Sequence, residues 1–170
     1  DDIAAVVAED EIIASKALKL ITVEYEEFPP MLSPQEAMAE GATILHEEHP
    51  DNILKETSYE LGDYEKSVED PELQIIEGNY QTQIVQHCHI EPPISYAYME
   101  NGRITVVSST QIPHIVRRVI GQALGIPWGK VRVIKPYIGG GFGNKQEVLY
   151  EPLNAFLTQQ VGGRCVKLEL

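Results

Sequence analysis

The sequence predicts a mixed α/β (α+β) fold, because two hydrophobic patterns alternate along it. Apolar residues at helical spacing, as in residues 112–124, predict helices, and short β-rich runs, as in residues 131–134, predict strands. An Asn-Gly pair at positions 101–102 separates two such runs and predicts a β-hairpin. Helices and strands mixed in this way are typical of α/β packing.

The same patterns define the expected elements. We predict strands at 3–7, 21–25, 75–83, 80–90, 94–99, 103–108, 131–134 and 166–170, and helices at 9–20, 34–39, 112–124 and 147–161. Residues 41–68 carry few core-forming side chains and read as an extended linker, and residues 63–70 predict a single exposed turn. A domain boundary is expected near residues 51–59.

Composition excludes several classes of function. The 170 residues suit one domain or two small ones, and 43% of them are hydrophobic, enough for a core. A net charge of -13 disfavours binding to nucleic acid and to anionic membrane surfaces. No apolar run reaches the roughly 20 residues of a membrane span, and no signal peptide is visible. We therefore expect a cytoplasmic protein.

The cysteines and the chain ends support two further expectations. Cys88 and Cys165 form no CxxC motif, so neither a disulfide framework nor a zinc or iron–sulfur site is expected, and each is predicted to be buried and reduced. The sequence starts without Met in a strand-like run and stops in another one. We expect it to be a fragment of a longer protein.

A glycine-rich loop is the strongest local signal. Gly139, Gly140 and Gly141 are followed by Phe142 and Gly143, between a predicted strand and a predicted helix. Glycines let a ligand approach the main chain, and the N-terminus of the next helix would offer N–H groups to an anion. The spacing fits neither a P-loop nor a dinucleotide-binding motif. The alternative is a tight structural turn.

A polar segment follows the predicted strand 103–108. Strand ends in α/β folds are where ligands are held, and the amide of Gln111 is suited to a bound oxygen. The alternative is that Ser109 or Thr110 caps the next helix and that Gln111 is merely exposed.

A third segment has the residue types of a metal site. On a strand, His87, His89 and Glu91 would share one face, and two histidines with a carboxylate can hold a metal. The alternative, which we favour, is that both histidines are structural.

In this order, the segments 87–92, 109–111 and 139–146 resemble the molybdenum-cofactor-binding (large) subunit of the xanthine dehydrogenase/aldehyde oxidase family, and bacterial xanthine dehydrogenases in particular. The resemblance implies that residues 1–50 are the C-terminal part of a hammerhead-like α/β domain. Residues 51–73 would be a linker, and residues 74–170 the first part of the molybdopterin-binding domain.

The resemblance also implies a function. Such a protein is a molybdenum-dependent oxidoreductase that hydroxylates purines, related N-heterocycles or aldehydes, with water as the oxygen donor. Its cofactor is molybdenum-molybdopterin, its partners are iron–sulfur and FAD subunits or domains, and a homo-oligomer is compatible with it. Two other classes stay open: a non-catalytic interaction domain, and a metal-dependent hydrolase that uses His87, His89 and Glu91.

Residue roles follow from the resemblance position by position. Gln111 matches a glutamine that hydrogen-bonds an oxo ligand, and Gly141, Phe142 and Gly143 match the loop that contacts the cofactor. Gln111 and Phe142 would lie near the molybdenum. Gln146 stands where purine-oxidising members often carry a substrate-binding glutamate, a departure that weakens assignment to one purine. No position matches the catalytic glutamate of the family, so we expect the segment by itself to be inactive and without bound cofactor.

Overall fold

The computed structural model describes residues 2–170, which form two compact units. One unit comprises the residues up to Leu20 together with Gln83–Leu170, and the other is Ile21–Thr82.

A four-stranded mixed sheet is the centre of the first unit. Its strands are β1 (Ile94–Glu100), β2 (Arg103–Ser108), β3 (Val131–Ile134) and β4 (Val166–Glu169), in the spatial order β3-β2-β1-β4. The predicted hairpin joins β1 to β2, and Asn101 and Gly102 both have positive φ, as its tight turn requires. β4 is antiparallel to β1, whereas β3 is parallel to β2. The expected α/β class is thus confirmed.

Helices complete the two units. They are α1 (Glu11–Leu18), α2 (Pro34–Ala37), α3 (Tyr64–Val68), α4 (Pro113–Leu124) and α5 (Glu151–Gln160), with 3-10 turns at Trp128–Lys130 and Asn144–Gln146. α4 and α5 pack on the sheet and on each other. The buried core consists of apolar side chains from both layers: Ala97, Ile104, Val106, Val116, Ile120, Val131 and Ala155. Burial of this apolar surface is what holds the helices to the sheet.

Strand direction brings three segments to one edge of the sheet. β2 and β3 are parallel, so their carboxyl ends meet at the same edge. β1 is antiparallel to β2, with Ser95 opposite Ser108, so β1 begins at that edge. The residues before β1, those after β2 and those after β3 are therefore neighbours. These are the three segments that the sequence singled out.

Four predicted strands are wrong. Residues 3–7, 21–25, 75–83 and 80–90 form no strand. Their apolar side chains are largely exposed, with Ile84 and Tyr80 at 103% and 93% of full accessibility. A strand exists only through hydrogen bonds to a neighbour, and within residues 2–170 these segments pair with none.

Two other elements differ from expectation for local reasons. The helix predicted at 147–161 begins only at Glu151, because Pro152 is tolerated in a first turn but not further inside a helix. The turn expected at 63–70 contains α3, because the side chain of Asp63 caps it by accepting the Lys66 N–H at 3.0 Å.

Burial of the cysteines was also predicted wrongly. Cys88 and Cys165 are both exposed and free, since both lie in irregular segments outside the core. Among residues 2–170, no helix has the length and apolar character needed to cross a membrane.

Candidate functional site

Lys145 links the three segments that meet at the sheet edge. Its side chain is almost completely buried, and its ammonium donates to Glu91 Oε2 at 2.7 Å and to the Glu91 carbonyl at 2.9 Å. Its own carbonyl accepts the Gln111 N–H at 2.8 Å. One residue of the glycine loop thus holds both the segment before β1 and the segment after β2.

Glu91 also fastens the start of the loop. Its Oε2 accepts the Gly139 N–H at 2.9 Å, and its own N–H donates to the Gly139 carbonyl at 3.3 Å. Burial by itself raises the pKa of Glu91, but hydrogen bonds from Lys145 and Gly139 and the nearby positive charges outweigh it, and the net pKa is lowered. The carboxylate is therefore ionised at neutral pH and satisfies the buried ammonium.

The two histidines do not form the metal-binding face considered for them, which is the less favoured alternative to structural roles. Cys88 between them has a positive φ of 50°, which breaks the strand alternation, and the imidazole rings stack with centroids 6.4 Å apart. Nε2 of His89 lies 3.0 Å from Nδ2 of Asn144, and Glu91 is held by Lys145. Residues 2–170 contain no cluster of three or more potential metal ligands among His, Cys, Asp and Glu.

The glycine loop has an unusual backbone at its tip. Gly140, Phe142 and Gly143 have positive φ angles of 98°, 49° and 94°. The left-handed region is costly for a residue with a bulky side chain such as phenylalanine. The ring of Phe142 is 73% exposed, so the loop presents this side chain outward rather than burying it.

Gln111 lies against the loop with an unsatisfied amide. Its Oε1 is buried and has no hydrogen-bond partner among residues 2–170. A Cβ built on Gly141 would lie 2.5 Å from that oxygen, so only glycine allows this approach. The alternative of an exposed Gln111 beside a capping hydroxyl is wrong, because the N-cap of α4 is Ile112 and no side chain caps it.

Gln146 lies at the far end of the loop. It closes the 3-10 turn Asn144–Gln146, its N–H donates to the Gly143 carbonyl at 3.0 Å, and its side chain is exposed. The helix predicted to begin at residue 147 starts four residues later, at Glu151, so no helix N-terminus follows the loop directly.

Sequence reasoning missed Lys145 and Asn144 as organisers of the site. Lys145 is the only charged residue of the loop, and a single lysine in a loop expected to be close-packed was the signal that it could need a buried carboxylate. The glutamate was considered as a metal ligand instead, because its partner lies 54 residues away in the sequence.

Comparison with known proteins identifies the family. Residues 45–170 match the model of the molybdopterin cofactor-binding domain. The chain belongs to this family. The resemblance to this family that the sequence motifs indicated is thereby confirmed. Gln111 and the Gly139–Gln146 loop both lie within the matched residues.

Individual relatives agree with this assignment. The chain is 52% identical to a xanthine dehydrogenase molybdenum-binding subunit of Escherichia coli over 171 residues, covering 100% of the chain but 22% of the relative. It is 35% identical to the nicotinate dehydrogenase large molybdopterin subunit of Eubacterium barkeri, covering 93% of the chain and 37% of that protein. The aldehyde oxidoreductase of Desulfovibrio desulfuricans has a matching structure with a TM-score of 0.84 at 27% identity, over 96% of this chain and 18% of the other. The chain thus spans only part of the length of its relatives.

The residues at the sheet edge fit the cofactor of this family. Molybdopterin carries several oxygen and nitrogen groups that need hydrogen-bond partners. Oε1 of Gln111 is buried and has no partner within the described part of the chain, so it can accept a hydrogen bond from an N–H group, and Nε2 of the same amide can donate to an oxygen. Gly143 has open space where a side chain would be, so its main chain is accessible to a ligand.

Proposed function

We propose that this chain is the first cofactor-contacting part of a molybdenum hydroxylase that oxidises purines, related N-heterocycles or aldehydes with oxygen from water. The observation that carries the proposal is the meeting of Gln111 with the Gly139–Gly143 loop at one sheet edge, in a chain of the molybdopterin-binding family. When bound, the molybdenum cofactor supplies the redox chemistry.

The residues of this chain bind and orient. We assign Gln111 to hydrogen-bond an oxygen of the cofactor, and Gly141, Phe142 and Gly143 to approach it, with Gln111 and Phe142 close to the metal. Gly141 supports this role because it leaves room for the Gln111 amide. The Lys145–Glu91 pair fixes the loop before a cofactor arrives, so less ordering is required on binding.

Gln146 is the proposed substrate-binding residue. It is exposed beside the loop, and its amide can both donate to and accept from a purine ring. It lacks the charge of a carboxylate and so cannot form the stronger charge-assisted bond. A purine substrate agrees with the most similar relative above, and an N-heterocycle with the nicotinate enzyme.

The rest of the protein supplies what this segment lacks. We propose iron–sulfur and FAD subunits or domains as electron acceptors, a cytoplasmic location, and the expected division into a hammerhead-like part (1–50), a linker (51–73) and a cofactor-binding part (74–170). A homo-oligomer is compatible with this arrangement.

Metal analysis of the full-length parent tests the proposal. Molybdenum together with iron is the expected result. Zinc in place of molybdenum would favour the hydrolase, and the absence of any metal would favour a non-catalytic interaction domain.

Kinetics of a single variant test the assignment of Gln146. Gln146→Ala in the full-length parent should lower kcat/KM by the equivalent of about 1–3 kcal/mol of lost hydrogen bonding, with molybdenum content unchanged. Gln159→Ala, the same change at an exposed position in the last turn of α5, should leave kcat/KM unchanged. Equal kinetics for both variants on purines and aldehydes would remove Gln146 from the substrate site.

A further inference from the structure

A basic groove runs beside β3, and none of the residues assigned above lines it. Its volume is about 470 Å³. It is lined by four basic side chains and an aromatic ring, together with His114: these are Arg103, Arg117, Arg132, Lys135 and Trp128. No aspartate or glutamate lines it. The chain as a whole has a net charge of -13, whereas the charged side chains of the groove are all positive. Overall composition therefore does not explain this local concentration of positive charge.

The cations of the groove are almost unpaired. Among residues 2–170, the one ion pair that any of them makes joins Arg132 Nη1 to Glu100 Oε2 at 3.8 Å. Both side chains are about half exposed, and such a contact contributes little. The guanidinium groups of Arg103 and Arg117 therefore remain available to carboxylates, which arginine binds with two parallel hydrogen bonds.

The groove is elongated along the lateral side of the sheet, parallel to the outermost strand on that side, β3. β3 is the last strand on its side of the sheet, so within the described residues it has hydrogen-bonding groups without a strand partner. From Val131 at the start of β3 to Lys135 just after its end, four extended Cα steps span about 13 Å. Val133, which is half-buried, lines the same groove and adds apolar contact between the charges.

We propose that this groove binds an extended acidic polypeptide segment, which adds to the free edge of β3 as a further strand. The strand edge supplies main-chain hydrogen bonds, Val133 accepts an apolar side chain, and the arginines pair with the carboxylates. An extended segment uses all three features, whereas a compact phosphate would use only the charges. The inference does not depend on the proposed enzymatic activity.

Trp128 makes the groove directly observable. It is the only tryptophan of the chain, it lines the groove and it is 48% exposed. Its ring packs on α4 at Gly121, where a Cβ would lie 2.6 Å from the indole. Tryptophan emission therefore reports on this surface alone.

The test is a titration of the full 170-residue chain with a blocked octapeptide of alternating Glu and Val. The Trp128 emission should change saturably, and added salt should weaken binding. The same peptide with N-methylated backbone amides keeps its charge but cannot donate strand hydrogen bonds, and it should bind about tenfold more weakly or worse. Anisotropy of a dye-labelled peptide provides a second readout should the emission not change.

Two neighbouring arginines on α4 supply the matched variants. Arg117 lines the groove, whereas Arg118 is exposed and does not line it. Arg117→Glu should weaken peptide binding about tenfold or more, and Arg118→Glu, with the same change in net charge, should have little effect. Unfolding midpoints confirm that both variants remain folded.

Four outcomes would overturn the proposal. These are no saturable binding by either readout, equal effects of Arg117→Glu and Arg118→Glu, tighter binding of inorganic phosphate than of the peptide, and a Trp128 signal that depends on chain concentration without peptide. If no saturable binding is found, the remaining role for the basic side chains of the groove is to prevent aggregation through the unpaired strand β3. The last would make a second copy of this chain the occupant.

Discussion

At the level of single residues, burial rather than distance decides the energy of an ion pair. Lys145–Glu91 and Lys167–Glu169 have N···O distances of 2.7 and 2.6 Å, but the lysine side chains are 1% and 59% exposed. A charge left alone in a protein interior is costly, whereas water replaces a lost surface partner. The two pairs therefore allow the contribution of burial to be compared at nearly the same N···O distance within one chain.

We predict that Lys145→Met destabilises the chain strongly and Lys167→Met hardly at all. Removing the buried ammonium leaves Glu91 without its partner and costs about 3 kcal/mol, the lower end of the usual range, since Glu91 keeps some exposure. The free energy of unfolding in urea measures both. Similar losses in the two variants would show that the Lys145 pair is not buried as described.

The lowered pKa of Glu91 predicts an acid-sensitive site. A carboxyl group whose pKa is lower in the folded than in the unfolded chain stabilises the fold at neutral pH, and this stabilisation is lost as the pH falls through the folded value. Unfolding free energies of the wild-type chain and Glu91→Gln should therefore differ most near neutral pH. The difference should shrink below the ordinary glutamate pKa of 4.5. A difference that is constant from neutral to strongly acidic pH would contradict the ionised pair.

At the level of elements, the sequence patterns succeeded where both partners of an interaction lie within the chain. The hairpin of β1 and β2, helix α4 and strand β3 were predicted from local signals such as Asn101-Gly102 and the helix-ending Gly125. Each then packs against the same core. Residues 75–90 carry an equally strong alternation but pair with nothing in the described chain, so the pattern did not become a strand.

The glycine loop offers a prediction at this level. Gly141→Ala should displace the Gln111 amide at little cost in stability, because the new methyl group would lie 2.5 Å from Gln111 Oε1, the far end of a side chain that can move. In the full-length parent, the same variant should lose molybdenum. Gly129→Ala is the control, since a Cβ there meets nothing within 4 Å and its φ is not positive. Retention of full molybdenum content by Gly141→Ala would argue against the proposed placement of Gln111.

At the level of the whole molecule, we propose that the chain carries part of a site. It spans 22% of the length of its E. coli relative, and the family resemblance implies that the catalytic glutamate is not among these residues. We predict that the purified 170-residue chain neither binds stoichiometric molybdenum nor reduces a dye with hypoxanthine or xanthine. Measurable turnover would contradict both this prediction and the assigned division of roles.

The sequence by itself determined the family, the α/β class and the residues at the sheet edge. These depend on short sequence motifs, each of which can be recognised within a few residues. The motifs are a run of glycines around Phe142, a glutamine after a strand and an Asn-Gly turn. Only the tertiary structure decided which of these residues touch. Parallel pairing of β2 with β3 brings Gln111 to Gly141, and burial of Lys145 makes Glu91 its partner rather than a metal ligand. Such contacts join residues that are 30 positions apart for Gln111 and Gly141 and 54 for Glu91 and Lys145, and no local pattern specifies them.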